Sequence, residues 1–305
     1  MHSHHHHHGH DHAHHETSNI ALAFWLNFIF AIIEFIGGIF TNSVAIIADA
    51  IHDLGDSMAI GFAWIASKIS EKQPTARYSY GYRRWSLLSA LISGVILLVG
   101  SALVLIEAIP RLWQPQLPNT TGMLLLALLG VAVNGYAVLK MRGGKTQNEK
   151  VISWHLLEDV LGWLAVLFGA ILMHFTGWAW LDPLLSIAFT LFILVNVIRA
   201  LGQTLGLFLQ VTPDSALQQQ IADAITAQDF VQAVHHLHLW SLDGEKHVLT
   251  MHVEIGTPAT MSEQLRYKAQ LADILKPFSL GHTTIEFELA GEPCRDKDDQ
   301  HHHDH

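Results

Sequence analysis

The sequence predicts a membrane domain of six spanning helices, all α, followed by a smaller cytoplasmic α+β domain. Half of the 305 residues are hydrophobic and only 14% are charged, whereas an average soluble domain carries roughly 25% charged residues. Long apolar stretches fill residues 19–210, while charged residues gather in the loops and the C-terminal part. The alternative, a soluble protein with an oversized core, is disfavoured because the apolar stretches recur at bilayer-crossing length.

Six apolar segments reach the length of about 20 residues that a spanning helix needs. They cover residues 19–40, 43–68, 85–110, 121–141, 150–175 and 181–209. The loops after the second and fourth segments hold most of the positive charges of residues 19–210, and such charges mark the cytoplasmic side of a membrane. These charges are Lys68, Lys72, Arg77, Arg83, Arg84, Arg142, Lys145 and Lys150. With an even number of spans, the bias predicts that both termini are cytoplasmic.

Both ends of the chain are polar and rich in histidine. Residues 1–18 contain the run MHSHHHHHGHDHAHH, which is either a purification tag or, because other residues interrupt it, a native metal-gathering tail. This segment has no apolar region before residue 19, so it does not resemble a secretory signal peptide. Residues 293–305 are predicted to be a disordered tail.

Residues 211–292 have the pattern of a separate α+β domain. A helix is predicted at 214–227 with Asp214 as N-cap, and another at 261–276. Strands are predicted at 231–242, 246–256 and 283–289, the first two joined as a hairpin. The order α-β-β-α-β favours a two-layer arrangement in which both helices cover one face of the sheet.

Composition limits the chemistry that is available. The only cysteine is Cys294, which excludes an internal disulfide and, by this reasoning, a thiolate zinc site. Metal chemistry would then use histidine and carboxylates. The net charge of −10 disfavours a nucleic-acid partner.

Two ion-binding candidates lie inside the predicted spans, where ionisable residues are costly and usually functional. His52 and Asp56 are four residues apart in the second segment, and His155 and Asp159 are four apart in the fifth. Residues at this spacing share a helix face, so two packed helices would present two imidazoles and two carboxylates to one tetrahedral Zn²⁺. Each pair could instead be a helix-packing hydrogen bond. The remaining acidic neighbours are predicted to support the site without being ligands, and they are Asp49, Asp53 and Glu158.

Other polar residues in the spans have structural interpretations. Asp182 precedes Pro183 and is predicted to cap the sixth helix. Helix packing or pore lining is predicted for Asn27, Glu34, Glu107 and Asn134.

Histidines recur on the predicted strands of the C-terminal domain. Strict alternation would place His236 and His238 on one face and His235 on the other. His252 would meet one of these sets across the hairpin, with Glu286 or Glu288 joining from the last strand. This pattern indicates a second metal site, or else histidines tolerated on a surface.

Several motifs resemble the cation diffusion facilitator family, in its zinc-transporting branch, over residues 18–292. They are TNSVAIIADAIHDLGDSMAI (41–60), YSYGYRRWSLLSAL (78–91), HLLEDVLGWLAVL (155–167), WAWLDPLLSI with the later VTP (211–213), HHLHLWSL (235–242) and HTTIEFE (282–288). The resemblance implies a homodimer with six helices per protomer, a ferredoxin-like cytoplasmic domain, and Zn²⁺ export in exchange for H⁺. It places transport ligands on His52, Asp56, His155 and Asp159, and cytoplasmic-domain zinc ligands on His235, His252, His282 and Glu288.

Two departures refine this expectation. Trp85-Ser86 stands where many members carry a glutamate, and the loop at 142–149 has no histidine. The short loop indicates a bacterial protein, and hence a multi-pass protein of the inner cell membrane.

Three other functions compete with zinc export. The first is export of Cd²⁺, Co²⁺ or Ni²⁺, since affinity alone does not exclude these metals. The second is an intramembrane metal-dependent hydrolase, but the H-E-x-x-H motif typical of such enzymes is absent from the sequence. The third is a metal sensor or scaffold, which would not require ligands inside the membrane. The sequence therefore favours a transporter over an enzyme.

Overall fold

The computed structural model describes residues 11–141, 147–256 and 259–296. Within these ranges, the side chains of residues 11–23, 26, 141 and 147–155 are not described. The histidine run up to residue 10 and the C-terminal tail from residue 297 therefore lie outside the described residues. The chain divides into two compact units, residues 1–68 with 88–202, and residues 69–87 with 203–305. They are called here the helical unit and the sheet unit.

Six long helices build the helical unit, and the last of them runs on into the sheet unit. They are α1 (Asp11–Thr41), α2 (Val44–Ser70), α3 (Trp85–Trp113), α4 (Thr120–Met141), α5 (Gln147–Thr176) and α6 (Leu181–Phe208). Helix α1 begins inside the segment that was predicted to be a tail.

Four stretches of the described helices are long and apolar enough to cross a membrane, namely Trp85–Trp113, Thr120–Lys140, Leu156–Thr176 and Leu181–Phe208. Helix α1 contributes a shorter apolar part, Asn27–Thr41. A helical transmembrane domain is thus confirmed, and the count of six spans stays a prediction.

Among the described residues, three apolar clusters join the long helices, and two of them include α2. One surrounds the fully buried Trp163 of α5, with Phe30 of α1, Ile46 of α2 and Met123 of α4. The other joins Val44 and Ala48 of α2 to Val104 and Ala108 of α3. Helix α2 belongs to both clusters, so its polar residues lie inside the bundle. Large apolar side chains on the outside, such as Phe40 and Phe175, suit contact with lipid.

Asp182 binds a different helix from the one predicted. Its carboxylate accepts hydrogen bonds from the Ser43 hydroxyl at 2.5 Å and from the backbone N–H groups of Val44 at 2.8 Å and Ala45 at 3.3 Å. The predicted cap of α6 is therefore wrong. Asp182 lies within the first turn of α6 and caps the N-terminus of α2, where backbone N–H groups have no partner within the helix.

The sheet unit contains α7 (Ser215–Thr226), β1 (Val231–Ser241), β2 (His247–Ile255), α8 (Met261–Leu275), a short 3₁₀ turn (Lys276–Phe278) and β3 (Leu280–Leu289). The sheet order is β1-β2-β3, with β1 antiparallel and β3 parallel to β2. A core that includes Ile221, Leu249 and Leu271 joins both helices to the sheet. Asp214 caps α7 as predicted. The ferredoxin-like classification stays a prediction.

Residues 69–87 belong to the sheet unit and contact its strands and turns. Arg83 Nη1 donates a hydrogen bond to Asp243 Oδ2 at 2.9 Å in the β1–β2 turn. Burial raises the pKa of Asp243, but hydrogen bonds from Lys246 N–H and Arg83 outweigh it and leave this pKa below its ordinary value. Asp243 is thus ionised at neutral pH and suited to the ion pair with Arg83.

Candidate metal centres

The predicted pair on α2 shares one helix face. His52 Nε2 lies 3.6 Å from Asp56 Oδ2, and both side chains are about one-fifth exposed (22% and 21%). This distance is too long for a hydrogen bond. The two groups therefore lie side by side on one face of α2.

Asp159 of α5 meets this face of α2. Ligand atoms of His52, Asp53 and Asp159 all lie within 4.8 Å of one another, and both carboxylates are buried. Asp53 had been predicted as a supporting residue, but the structure places it beside His52 and Asp159. His155 lies on α5 one turn before Asp159, and its side chain is outside the described residues.

Two further carboxylates approach this centre, and one points away. Glu34 of α1 is fully buried and lies close enough to Asp49 and Asp159 for their charges to act on it. Asp49 of α2 has an oxygen about 4.0 Å from the position of a Cβ on Gly162 of α5. Glu158 is exposed, which agrees with its prediction as a residue off the ligand face. The centre is therefore strongly acidic, as expected for a site that holds a divalent cation.

The second centre lies in the sheet unit. Ligand atoms of His235, His252, Glu288 and Cys294 all lie within 4.8 Å of one another. Glu288 Oε1 is 2.7 Å from His252 Nδ1, and Glu288 Oε2 is 2.9 Å from His235 Nε2. Cys294 Sγ lies 3.5 Å from His252 Nδ1. Two nitrogens, one oxygen and one sulfur are a donor set that suits tetrahedral Zn²⁺.

Cys294 is the ligand candidate that sequence reasoning missed. A single cysteine had been taken to exclude a thiolate site, but one thiolate can complete a set that histidine and glutamate begin. The position of Cys294 in the sequence could have indicated this role, because Cys294 follows the strand that carries Glu288 after only a short turn.

His282 does not join the other predicted ligands. It pairs with Val248 near the start of β3, while Glu288 lies near its end, about 20 Å away at the rise of a strand. The His282 ring packs instead edge-on against Tyr80, with ring centroids 5.4 Å apart. Strand geometry thus separates His282 from the group within one protomer.

A β-bulge brings His235 into the second centre. The pairing with β2 shifts between His235 and His238, and His236 adopts a positive φ of 48°. Because the bulge inserts one residue, His235 pairs with His252 and His238 pairs with Thr250. The predicted separation of His235 from His238 onto opposite faces is therefore wrong.

Electrostatics favour an ionised carboxylate and a protonated thiol in this centre when no metal is bound. Burial raises the pKa of Glu288, but hydrogen bonds from Cys294 and His252, with the charges of His235 and His252, lower it below its ordinary value. Burial first, and then the Glu288 and Asp296 carboxylates, raise the pKa of the Cys294 thiol. Metal binding here would release the thiol proton.

The chain matches two protein families in sequence. Residues 20–208 match the cation efflux transmembrane domain, and residues 213–288 match the cation efflux protein cytoplasmic domain. The chain belongs to the cation efflux family. The predicted family resemblance is thereby confirmed.

Curated relatives cover most of this member of the family. It is 32% identical to the cadmium, cobalt and zinc/H(+)-K(+) antiporter of Bacillus subtilis over 90% of this chain and 92% of the relative. It is also 32% identical to the metal cation efflux system protein CzcD of Cupriavidus metallidurans, over 93% of this chain and 90% of the relative. It is 30% identical to the zinc transporter ZitB of Pectobacterium atrosepticum, over 89% of this chain and 85% of the relative. Together these names identify a multi-pass membrane transporter and not an enzyme.

Proposed function

We propose that this protein exports Zn²⁺ from the cytoplasm in exchange for protons, by alternating access around His52, Asp56, His155 and Asp159. The observation that carries the proposal is the convergence of His52 on α2 and Asp159 on α5, whose ligand atoms lie within 4.8 Å of each other. Asp53 adjoins the same point and is a further candidate ligand.

The chemistry of these residues supports exchange. Zn²⁺ binds neutral imidazole and ionised carboxylate, so binding displaces protons and protonation displaces the metal. Imidazole titrates near pH 6.5 in water, within the range that a pH gradient across a cell membrane spans. Protons entering from outside would release Zn²⁺ from His52 and His155, and cytoplasmic Zn²⁺ would then displace them.

The arrangement in the membrane is part of the proposal. All six long helices would span the inner membrane, with both termini on the cytoplasmic side, as the positive loops between the second and third and the fourth and fifth segments favour. The sheet unit would form the homodimer contact, in keeping with its match to the cation efflux cytoplasmic domain.

A flux measurement with purified protein in liposomes tests this function. With a pH gradient imposed, we expect wild-type protein to accumulate Zn²⁺ on the acidic side and to lose this accumulation when an ionophore collapses the gradient. Zn²⁺ flux that is indifferent to the gradient would contradict proton exchange. The same assay with Cd²⁺, Co²⁺ and Ni²⁺ tests the alternative function, which is export of another divalent metal. Relatives named for cadmium and cobalt make these metals the main alternative cargo.

We also propose that His235, His252, Glu288 and Cys294 hold a regulatory or structural Zn²⁺ in the cytoplasmic domain, with Cys294 in the place predicted for His282. The mixed donor set and its burial support this assignment. Bound zinc would supply a positive centre that joins β1, β2 and β3 to the segment after β3.

Cys294→Ser should weaken metal binding at this site at least about tenfold, because it removes the thiolate. Co²⁺ in place of Zn²⁺ provides the measurement, since thiolate coordination gives a charge-transfer absorption band that the serine variant would lack. His282→Ala is the matched control and should keep the band. No thiolate band in wild type, with Co²⁺ binding unchanged in Cys294→Ser and weakened in His282→Ala, would restore the ligand set predicted from sequence.

A further inference from the structure

Glu34 is a buried carboxylate without a role among the zinc ligands. Its side chain is 0% exposed, and neither oxygen accepts a hydrogen bond of good geometry from the residues that the structure describes, the Trp163 indole being the one donor that bears on it. An ionised carboxylate in an apolar interior is costly unless it is paired. Glu34 therefore needs a cation when the protein works in the membrane.

Helix packing places Glu34 beside the acidic turn of α2. A Cβ on Gly38 of α1 would lie 2.7 Å from Ile47 Cγ1 of α2, so the two helices are in close contact there. Helices α1 and α2 are joined by a short turn and run in opposite directions. Glu34, one turn before Gly38, thus faces the turn of α2 that carries Asp49.

Asp49 connects Glu34 to α5. Its Oδ1 lies at 4.0 Å from the position of a Cβ on Gly162, one turn beyond Asp159. Its Oδ2 has no hydrogen-bond donor among the described residues. Among the residues whose side chains the structure describes, the groups that act on Glu34 are the carboxylates of Asp49 and Asp159 and the indole of Trp163. None of these groups is cationic.

Charge balance then requires cations other than zinc. Five carboxylates lie in this part of the bundle, on Glu34, Asp49, Asp53, Asp56 and Asp159. One Zn²⁺ neutralises two of them, and burial makes the remaining negative charge unfavourable. A proton on Glu34 or Asp49 would remove part of this charge at a position that the metal does not need.

We propose that Glu34, with Asp49, forms a proton-binding position separate from the zinc ligands and carries a proton that is exchanged for Zn²⁺. This inference rests on the function proposed above. Zn²⁺ on His52 and Asp159 repels the proton from Glu34, and a proton on Glu34 weakens zinc binding by the same factor, because linkage is reciprocal. The proton moves from outside water to a Glu34 oxygen and leaves to the cytoplasm when zinc binds.

The test compares wild-type protein with Glu34→Gln, which keeps the size of the side chain and cannot lose a proton. Calorimetry of Zn²⁺ binding in buffers of different ionisation enthalpy gives the number of protons released per zinc. We expect Glu34→Gln to release about one proton fewer than wild type and to bind Zn²⁺ about tenfold more weakly at the assay pH, because glutamine stands in for the protonated side chain that weakens zinc binding. In liposomes with the same pH on both sides, the variant should still exchange Zn²⁺ for Zn²⁺. With a pH gradient imposed, the Zn²⁺ that it accumulates should be at least about tenfold less than for wild type.

Matched variants separate the outcomes. Glu158→Gln makes the same change at an exposed position of α5 and should behave as wild type, and Glu34→Asp should recover part of the pH-driven flux. If Glu34→Gln releases as many protons as wild type, the inference is wrong while zinc export stands. A much larger loss of zinc affinity in Glu34→Gln, about a hundredfold or more, would also overturn it, by making Glu34 a ligand or a structural residue. If Glu34→Gln does not fold, Asp49→Asn gives the same proton count, and an unchanged count overturns the inference. Failure of the wild type to couple Zn²⁺ to protons would instead refute the proposed function.

Discussion

His52→Ala is expected to lower the initial rate of Zn²⁺ transport at least about a hundredfold. The substitution removes a nitrogen ligand whose ring faces Asp56 at 3.6 Å and Asp159 across the helix contact. A tetrahedral site that loses one protein ligand binds Zn²⁺ much more weakly. Even the loss of a residue that only hydrogen-bonds to a ligand lowers metal affinity about ten- to a hundredfold. The measurement is the initial rate of Zn²⁺ uptake into liposomes that contain purified protein.

The control for this substitution is His174→Ala. His174 is also a histidine of a membrane helix, but it is exposed and its Nδ1 is 3.0 Å from the Thr120 hydroxyl near the end of α5. We expect His174→Ala to transport at close to the wild-type rate, and both variants to elute as monodisperse protein. Transport by His52→Ala at the wild-type rate would remove His52 from the ligand set.

The parts of the fold that depend on local pattern could be predicted from sequence. The His-x-x-x-Asp spacing on α2 predicts a shared helix face because 3.6 residues make one turn, and the structure places His52 and Asp56 in this way. The cap of α7 by Asp214 is equally local, since the carboxylate accepts from Ala216 N–H two residues away at 2.8 Å. Patterns of this kind need no knowledge of distant contacts.

The features that were missed depend on long-range packing or on a break in strand alternation. Asp182 finds its donors about 138 residues earlier in the chain, so nothing near it in sequence indicates its partner. The bulge at His236 requires a positive φ, which is uncommon for residues other than glycine, and one inserted residue reverses the faces of all residues beyond it. Cys294 was excluded by counting cysteines, although its neighbours in space are histidines and a glutamate.

Asp182→Ala is expected to reduce stability more than any other substitution considered for the helical unit. The carboxylate is buried at 1% exposure and accepts from one hydroxyl and two backbone N–H groups at the start of α2. Each buried donor left without an acceptor costs about 1–3 kcal/mol, so the total loss should be about 3 kcal/mol or more. Thermal denaturation of the purified protein in detergent measures this change. Asp182→Asn, which keeps one acceptor oxygen, should lie between Ala and wild type.

Asp214→Ala is the matched control, because it removes an aspartate cap that is exposed and accepts one hydrogen bond. Its cost should be about 1 kcal/mol, the usual value for an N-cap. Equal losses for the two variants would contradict the role assigned to Asp182. Transport should fall as well in Asp182→Ala, since His52 and Asp56 lie two to three turns beyond the capped end and a helix that shifts at its start moves both side chains relative to Asp159. The cap is therefore expected to link the stability of α2 to the position of the metal ligands, although Asp182 does not touch the metal.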